Sequence, residues 1–174
     1  TYELTAEQAF VLADETSPVF LPNAWHVVAS MWEDEPKAIQ AFQSGKGVAW
    51  GEHSERLFCG VAAFYRNGYA ASLVQEWLPA LTGVTNTLEN GAKVADVGCG
   101  HGHSTVLMAK AYPKSRFWGF DVHAGSIEVA RKVALKAGVE DRVNFEVATA
   151  DGYVKRGYDL VCFFDCLHDM GDPV

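Results

Sequence analysis

The sequence predicts an α/β protein in which a doubly wound parallel sheet follows an all-helical region. Residues 1–90 carry apolar side chains at three- and four-residue spacing, interrupted by Pro and Gly, which is typical of helices. From residue 91 onwards, short β-branched runs alternate with amphipathic helices, as in a parallel sheet. These runs are continuously apolar, so we expect helices to cover both faces of the sheet.

Each helix predicted in residues 1–90 begins at a capping residue or Pro and ends at Gly or a turn. The predicted helices are residues 5–14, 22–32, 36–45, 54–65 and 69–81. The segment Gly45–His53 is predicted to be a loop, and Arg66–Gly68 a turn. The acid run Glu33–Glu35 is expected to be a solvated helix end.

Four strands and two connecting helices are predicted after residue 91. The strands are Lys93–Val97, Arg116–Phe120, Val143–Val147 and Asp159–Phe164, and the helices are Ser104–Ala111 and Ser126–Lys136. In this order they form βα units, whose ligands bind beyond the carboxyl ends of the strands.

Composition excludes several classes of protein. No apolar run of 18 residues is present, so we expect no membrane-spanning segment. The net charge of -8 opposes a phosphate backbone, which argues against nucleic acid as a partner. The four cysteines lie among apolar neighbours without metal-site spacing, which predicts reduced thiols in a cytoplasmic protein without a metal.

A glycine loop separates the first predicted strand from its helix. Gly98, Gly100 and Gly102 permit positive φ angles and let a ligand approach the backbone. The free N–H groups at the start of the helix suit a carboxylate or a phosphate. Asp121 ends the second predicted strand 19 residues after Gly102, where a carboxylate can accept both ribose hydroxyls of an adenosine.

Two positions distinguish a methyl donor from a nicotinamide dinucleotide. His103 stands where the dinucleotide fingerprint G-x-G-x-x-G requires its third glycine. Asp96 stands two residues before the loop, where a carboxylate suits a cationic amino group. S-adenosylmethionine has that ammonium and an adenosine but no pyrophosphate. The sequence therefore predicts S-adenosylmethionine as the cofactor, with S-adenosylhomocysteine as the product, and a structural turn without ligand is the alternative.

The segments VADVGCGHGHST and GFDVHAGSIEVAR resemble motif I and the second-strand end of class I S-adenosylmethionine-dependent methyltransferases. The resemblance covers residues 91–174 and implies a seven-stranded Rossmann-like methyltransferase sheet. The resemblance implies that the methionine end of the donor lies near the glycine loop, that Asp121 binds the ribose, and that adenine lies against Val122. The donor-binding residues implied in this way are Asp96, Gly98, Gly100, Gly102, Asp121 and Val122.

The third predicted strand ends differently from many members of that family. They carry Asp-Ala there, whereas this chain has Thr149, Ala150 and Asp151. The adenine amino group is then accepted either by the Thr149 hydroxyl or by a shifted Asp151.

The fourth predicted strand ends at Phe164, which we expect beside the donor. The following LHDMGD is similar to the LHDW-type segment of small-molecule O-methyltransferases, which implies that His168 removes the acceptor proton, oriented by Asp165 or Asp169. The alternative is that His168 only packs or caps the next helix.

Because only four of seven strands are present, we expect the chain to be a fragment or part of an assembly that covers the fourth strand. Residues 1–90 resemble, more weakly, the helices that connect an upstream winged-helix module to the catalytic domain of O-methyltransferase-like proteins. This implies a lid and dimerisation region over residues 1–90 and a donor-binding domain over residues 91–174.

The sequence thus predicts a homodimeric enzyme that methylates a small-molecule acceptor, at a hydroxyl oxygen. A regulator that retains the donor fold without catalysis is the alternative.

Overall fold

A computed structural model describes residues 2–170, and the chain forms two compact units, Thr1–Ala71 and Ser72–Val174. Its α-helices are α1 (Ala6–Leu12), α2 (Ala24–Ser44), α3 (Glu55–Gly68), α4 (Val84–Asn90), α5 (His103–Ala111) and α6 (Ala124–Ala137). Its strands are β1 (Lys93–Val97), β2 (Arg116–Asp121), β3 (Val143–Val147) and β4 (Leu160–Phe163). Shorter helical turns are 3₁₀ at Trp50–Glu52 and Leu167–Asp169, and a π-helix spans Tyr69–Trp77.

The first helix begins at the predicted capping box. The Thr5 hydroxyl accepts from the Gln8 backbone N–H at 3.2 Å, and the Gln8 side chain accepts from the Thr5 N–H at 3.0 Å. Both N–H groups belong to those that a helix start leaves unpaired. The structure thus confirms the predicted start of α1.

Helix α2 corrects the prediction of two helices separated near Pro36. It runs through Pro36 without a break and ends at Gly45, which has a φ of 69°. Proline removes one backbone hydrogen bond, but close packing on α3 holds the helix together. A Cβ on Gly60 of α3 would lie 2.9 Å from the Val27 backbone nitrogen, so glycine permits this approach. Tertiary packing therefore outweighs the local signal.

The acid run also differs from its prediction, because Asp34 is buried. Its carboxylate accepts from Lys37 Nζ at 2.7 Å and from the Ser54 N–H at 3.0 Å, and it lies 2.9 Å from His53 Nδ1. Burial alone would raise the pKa of Asp34, but the hydrogen bonds from Lys37, Ser54 and His53 lower it to about 2. Asp34 thereby ties α2 to the start of α3.

Residues 66–68 form no turn, contrary to the prediction, because α3 continues through Gly68 into the π-helix. Asn67 is buried and donates to the carbonyl oxygens of Glu15 and Ser17, each at 2.9 Å. These contacts satisfy a turn-favouring side chain inside a helix. In the predicted loop before α3, Trp50–Glu52 form a 3₁₀ turn.

The second unit is built on a parallel sheet whose described strands have the order β3-β2-β1-β4. The chain runs outward from β1 to β2 and β3 and then returns to the other side of β1. This doubly wound order confirms the predicted fold class, a Rossmann-like α/β sheet after a helical region. The reversal lies between β1 and β4, and ligands of such sheets bind at this point.

The two faces of the sheet are covered differently. On one face, the Phe145 ring packs against α6 and the start of α5. On the opposite face, Phe120 packs against Tyr153, with ring centroids 4.9 Å apart. Tyr153 belongs to the β3–β4 crossover, residues 148–159, which contains no helix. Right-handed crossovers place this connection opposite α5 and α6. We expect helices on both faces from the sequence, but on this face aromatic side chains of the crossover pack against the sheet.

The boundary predicted at residue 90, between a lid and dimerisation region and a donor-binding domain, concerns function and stays a prediction. Within residues 2–170, no helix combines the length and apolarity needed to cross a bilayer. Residues 171 and 172, which end the LHDMGD segment, lie outside the described residues.

Candidate functional site

The predicted glycine loop connects β1 to α5 at the carboxyl end of the sheet. Gly98, Gly100 and Gly102 have φ angles of 73°, 53° and 74°, in the left-handed region that favours glycine. The backbone N–H groups of Gly98 and Cys99 both donate to the Phe120 carbonyl, at 2.8 and 3.0 Å. The loop is therefore fixed to the end of β2, beside Asp121.

The three glycines have different surroundings. Among the residues that the structure describes, none would lie within 4 Å of a Cβ on Gly100, so its outer face is open to them. A Cβ on Gly98 would lie 2.6 Å from Cys166 Sγ, and one on Gly102 would lie 2.6 Å from the Phe145 ring. Gly100 thus leaves room for a ligand, whereas Gly102 allows the loop to pack against the sheet.

Asp96 lies at the end of β1 and is 1% exposed. Its Oδ2 accepts from the Ser104 hydroxyl at 2.7 Å and from the Thr105 hydroxyl at 2.6 Å. Its Oδ1 is buried and has no hydrogen-bond partner among the described residues. Burial raises the pKa of Asp96 to about 6, although the bonds from Thr105 and Ser104 oppose this. A buried carboxylate oxygen without a partner is costly, and a cationic ligand group would compensate it.

Asp121 ends β2 and is held by two backbone donors. The Gly100 N–H donates to its Oδ2 at 2.9 Å, and the His123 N–H donates to its Oδ1 at 2.8 Å. Each carboxylate oxygen retains a second lone pair. The carboxylate is thus fixed in orientation and can accept further hydroxyl groups. Val122, the next residue, is half exposed.

After the end of β3, the two residues that the sequence offered as acceptors of the adenine amino group, Thr149 and Asp151, lie close together. The Thr149 hydroxyl lies near the Asp151 carboxylate, and its interaction with that carboxylate is the main cause that lowers the pKa of Asp151. The Gly152 and Tyr153 N–H groups donate to the Thr149 carbonyl, each at 3.2 Å, which closes the turn. Thr149 and Asp151 therefore form one polar pair, with the partly buried Ala150 between them.

The segment after β4 carries the candidate base. Asp165 has a φ of 53°, which is unusual for a residue other than glycine. His168 lies in the following 3₁₀ turn and its side chain is 66% exposed, so it does not pack in the core. Its Nδ1 lies 3.9 Å from Asp165 Oδ1, and its Nε2 lies 3.4 Å from Asp169 Oδ1. Both carboxylates that were predicted to orient His168 are therefore near it.

Phe164 and Cys166 position this segment. The Phe164 ring lies 6.5 Å from the Trp77 ring, centroid to centroid. The Cys166 thiol donates to the Val97 carbonyl at 3.1 Å and covers Gly98. Burial raises the pKa of Cys166 to about 11, so the thiol stays protonated and can keep this bond.

Sequence reasoning missed several of these contacts. Ser104 and Thr105 follow Asp96 by eight and nine residues, at the first turn of the helix after the loop, and this spacing was the available signal. His123 caps α6, because its Nδ1 accepts from the Ser126 N–H at 3.2 Å. His101, in the glycine loop, is half-buried. Burial lowers the pKa of His101; the nearby Asp121 carboxylate raises it, and His123 lowers it further.

The described residues contain no group of three or more His, Cys, Asp and Glu side chains that could hold a metal ion. All four cysteines are free.

A family model described as a methyltransferase domain matches residues 88–174. Among curated relatives, a 27-O-demethylrifamycin SV methyltransferase from Amycolatopsis mediterranei (strain S699) is 36% identical over 87 residues, which cover 49% of this chain and 32% of that protein. A malonyl-[acyl-carrier protein] O-methyltransferase from Priestia megaterium (strain DSM 319 / IMG 1521) is 31% identical over 91 residues, which cover 48% and 32%. The chain thus spans about a third of the length of these two relatives.

The solved structure of a proposed O-methyltransferase from Nostoc punctiforme PCC 73102 matches 92% of this chain and 48% of its own, with a TM-score of 0.61 and 21% identity. This likeness supports the fold of the helical region and of the sheet.

Proposed function

The chain belongs to the class I S-adenosylmethionine-dependent methyltransferases, and from this membership we propose that it transfers the donor methyl group to a hydroxyl oxygen of a small-molecule acceptor. The observation that carries the proposal is the pairing of two fixed carboxylates, Asp96 and Asp121, around an open glycine loop. One carboxylate suits the ammonium of the donor and the other suits its ribose hydroxyls.

The residues present fit the donor. The buried Asp96 Oδ1, which has no hydrogen-bond partner within residues 2–170, matches the donor ammonium, and the open face of Gly100 leaves space beside it. Asp121 would hold the ribose, and the exposed Val122 would lie against adenine. The adenine amino group would be accepted by the pair Thr149 and Asp151.

When bound, S-adenosylmethionine supplies an electrophilic methyl group on its sulfonium. The contribution of the protein is mainly to bind and orient the reactants. His168 would accept the proton of the acceptor hydroxyl at one ring nitrogen, and Asp165 or Asp169 would orient the ring through the other. An exposed imidazole suits this role because it can reach a bound acceptor.

Calorimetric titration with S-adenosylhomocysteine tests the donor site. We expect micromolar binding in the intact protein, and Asp121→Ala should weaken it by about 1 to 3 kcal/mol, since the ribose loses its acceptor. Asp141→Ala is the matched control, because Asp141 is an exposed acid of the same unit. The affinity of this variant for S-adenosylhomocysteine should equal that of the unmodified chain. NAD should not bind.

Two results would contradict this site. If the folded protein does not bind S-adenosylhomocysteine, or if Asp121→Ala binds it as tightly as the unmodified chain, the assignment of the two carboxylates fails.

For His168, we expect the His168→Ala variant to lose about 10²- to 10⁴-fold in kcat while its donor affinity stays the same. The reason is that the variant lacks the proton acceptor but keeps the donor-binding residues. Turnover with a panel of hydroxylated acceptors measures kcat, and calorimetry measures donor affinity. Full turnover in the variant would eliminate His168 as the base, and donor binding without transfer in the intact protein would favour the non-catalytic regulator.

The proposal includes a cytoplasmic homodimer. The free cysteines support a reducing compartment, because three of them are wholly or partly buried without a disulfide. The helical unit supports self-association, because large apolar side chains of α2 are exposed.

A further inference from the structure

An apolar stripe runs along α2 on the side turned away from α3. Val27, Ser30 and Asp34 face α3 or are buried on that side. The stripe consists of five apolar residues and one acid: Trp25, Val28, Trp32, Glu35, Ile39 and Phe42. Trp25 is 62% exposed, Trp32 69%, Ile39 51% and Phe42 91%. Such large apolar side chains are usually covered in solution.

The spacing of the stripe indicates what covers it. Its residues follow one another by three and four positions in strict alternation, which is the a/d pattern of a heptad repeat. An a/d seam packs against another helix with the same repeat, knobs into holes. Helix α2 has 21 residues and is about 31 Å long, so the repeat extends over almost its whole length.

From this pattern we propose that α2 pairs antiparallel with α2 of a second copy of the chain. In that arrangement, a positions of one helix face d positions of the other. Trp25 then faces Phe42 of the second copy, Val28 faces Ile39, and Trp32 faces Glu35. The inference rests on the proposed homodimer but is independent of methyl transfer.

The charge within the stripe selects this orientation. In a parallel pair, Glu35 would face Glu35 of the second copy, and like charges at the seam destabilise the pair. In the antiparallel pair, each Glu35 faces a Trp32, whose indole N–H can donate to the carboxylate. The polar position thus favours one register.

The area of the stripe is suitable for a dimer. Its exposed side chains present on the order of 600 Å² per copy, most of the roughly 800 Å² that each partner buries in a standard interface. The seam contains aromatic residues at both ends and at its centre, which is typical of the residues that dominate binding.

Sedimentation equilibrium of the full chain tests whether the α2 stripe forms a dimer interface. We expect a dimer in the unmodified chain, and a dissociation constant raised roughly 100-fold in Phe42→Glu, because a charge would be buried without a partner. Gln40→Glu is the matched control, since this exposed α2 residue lies off the stripe, and we expect it to remain dimeric. Circular dichroism and S-adenosylhomocysteine binding, measured on the same samples, show whether each variant is folded.

Cross-linking tests the orientation. In a Cys59→Ser background, which removes the exposed native cysteine, a short bismaleimide should link Ala24→Cys chains to Gln43→Cys chains in a mixture, because these positions flank the two ends of the stripe and leave Trp25 and Phe42 in place. Neither variant should cross-link alone, whereas a parallel pair would cross-link each alone and overturn the register. A monomeric chain would overturn both the homodimer and the interface, and a Phe42→Glu variant that remains dimeric would overturn the interface only. Donor binding is unaffected by any of these outcomes, so failure of the catalytic proposal would be seen separately.

Discussion

Donor affinity is expected to fall by about 100-fold in the Asp96→Asn variant. The amide oxygen can still accept from Ser104 and Thr105, so the loop should keep its conformation. Its NH₂ group, however, replaces the carboxylate oxygen that has no partner in the structure and would face the donor ammonium. Calorimetry with S-adenosylhomocysteine measures the effect, and Asp141→Asn, at an exposed acid, is the matched control.

The pH dependence of the same site gives a second readout. Because the pKa of Asp96 is raised to about 6, donor affinity should be constant above that pH and fall about tenfold per pH unit below it. The folded protein without donor holds this proton more tightly than the unfolded chain, so its stability should decrease as pH rises from about 4 to 6. Asp96→Asn should lack both dependences. An affinity that is unchanged in the variant and flat with pH would show that Asp96 does not bind the ammonium.

The free energy of unfolding is expected to decrease by about 3 kcal/mol in the Gly102→Ala variant. The methyl group would enter a left-handed backbone position and would also lie 2.6 Å from the buried Phe145 ring and 2.9 Å from Ala130 Cβ. Neither neighbour can move without disturbing the packing of α6 on β3. Urea unfolding without donor measures the change, and the midpoint of thermal unfolding should fall by about 10 °C.

The Gly100→Ala variant separates the effect of backbone strain from that of the contact with the Phe145 ring. Its φ of 53° imposes similar backbone strain, but no described residue would lie within 4 Å of its Cβ. We therefore expect a loss of only about 1 to 2 kcal/mol. Equal effects at positions 100 and 102 would show that the contact with Phe145 has no energetic role.

The sheet could be predicted closely from the sequence. Strands β1 and β3 begin and end at the predicted residues, because each is a short valine-containing run between segments that favour turns. The helical unit could not be predicted as closely, since the length of its helices depends on contacts between residues that are distant in sequence. Pro36 and Asn67 favour breaks locally, but packing on Gly60 and hydrogen bonds to Glu15 and Ser17 keep both helices continuous.

In the candidate site too, some residues could be predicted from the sequence, whereas contacts that depend on the fold could not. Asp96 and Asp121 could be predicted because they end strands that the pattern had already identified. The role of the hydroxyls of Ser104 and Thr105 depends on where α5 begins relative to β1, which the spacing alone does not state. The proximity of the Thr149 hydroxyl to the Asp151 carboxylate likewise depends on the turn that follows β3.

The position of β4 in the sheet has a consequence for the order of folding. Contacts between β1 and β2 join residues about 23 apart in sequence, as in the bond from Ala92 N to Ser115 Oγ. Contacts with β4 close a loop almost three times as long, since Lys93 N donates to Asp159 Oδ2, 66 residues away. Longer loops cost more entropy to close, and contacts distant in sequence form later. We therefore expect strands β1 to β3 to assemble the donor loop first, and β4 to dock afterwards with the segment that carries His168.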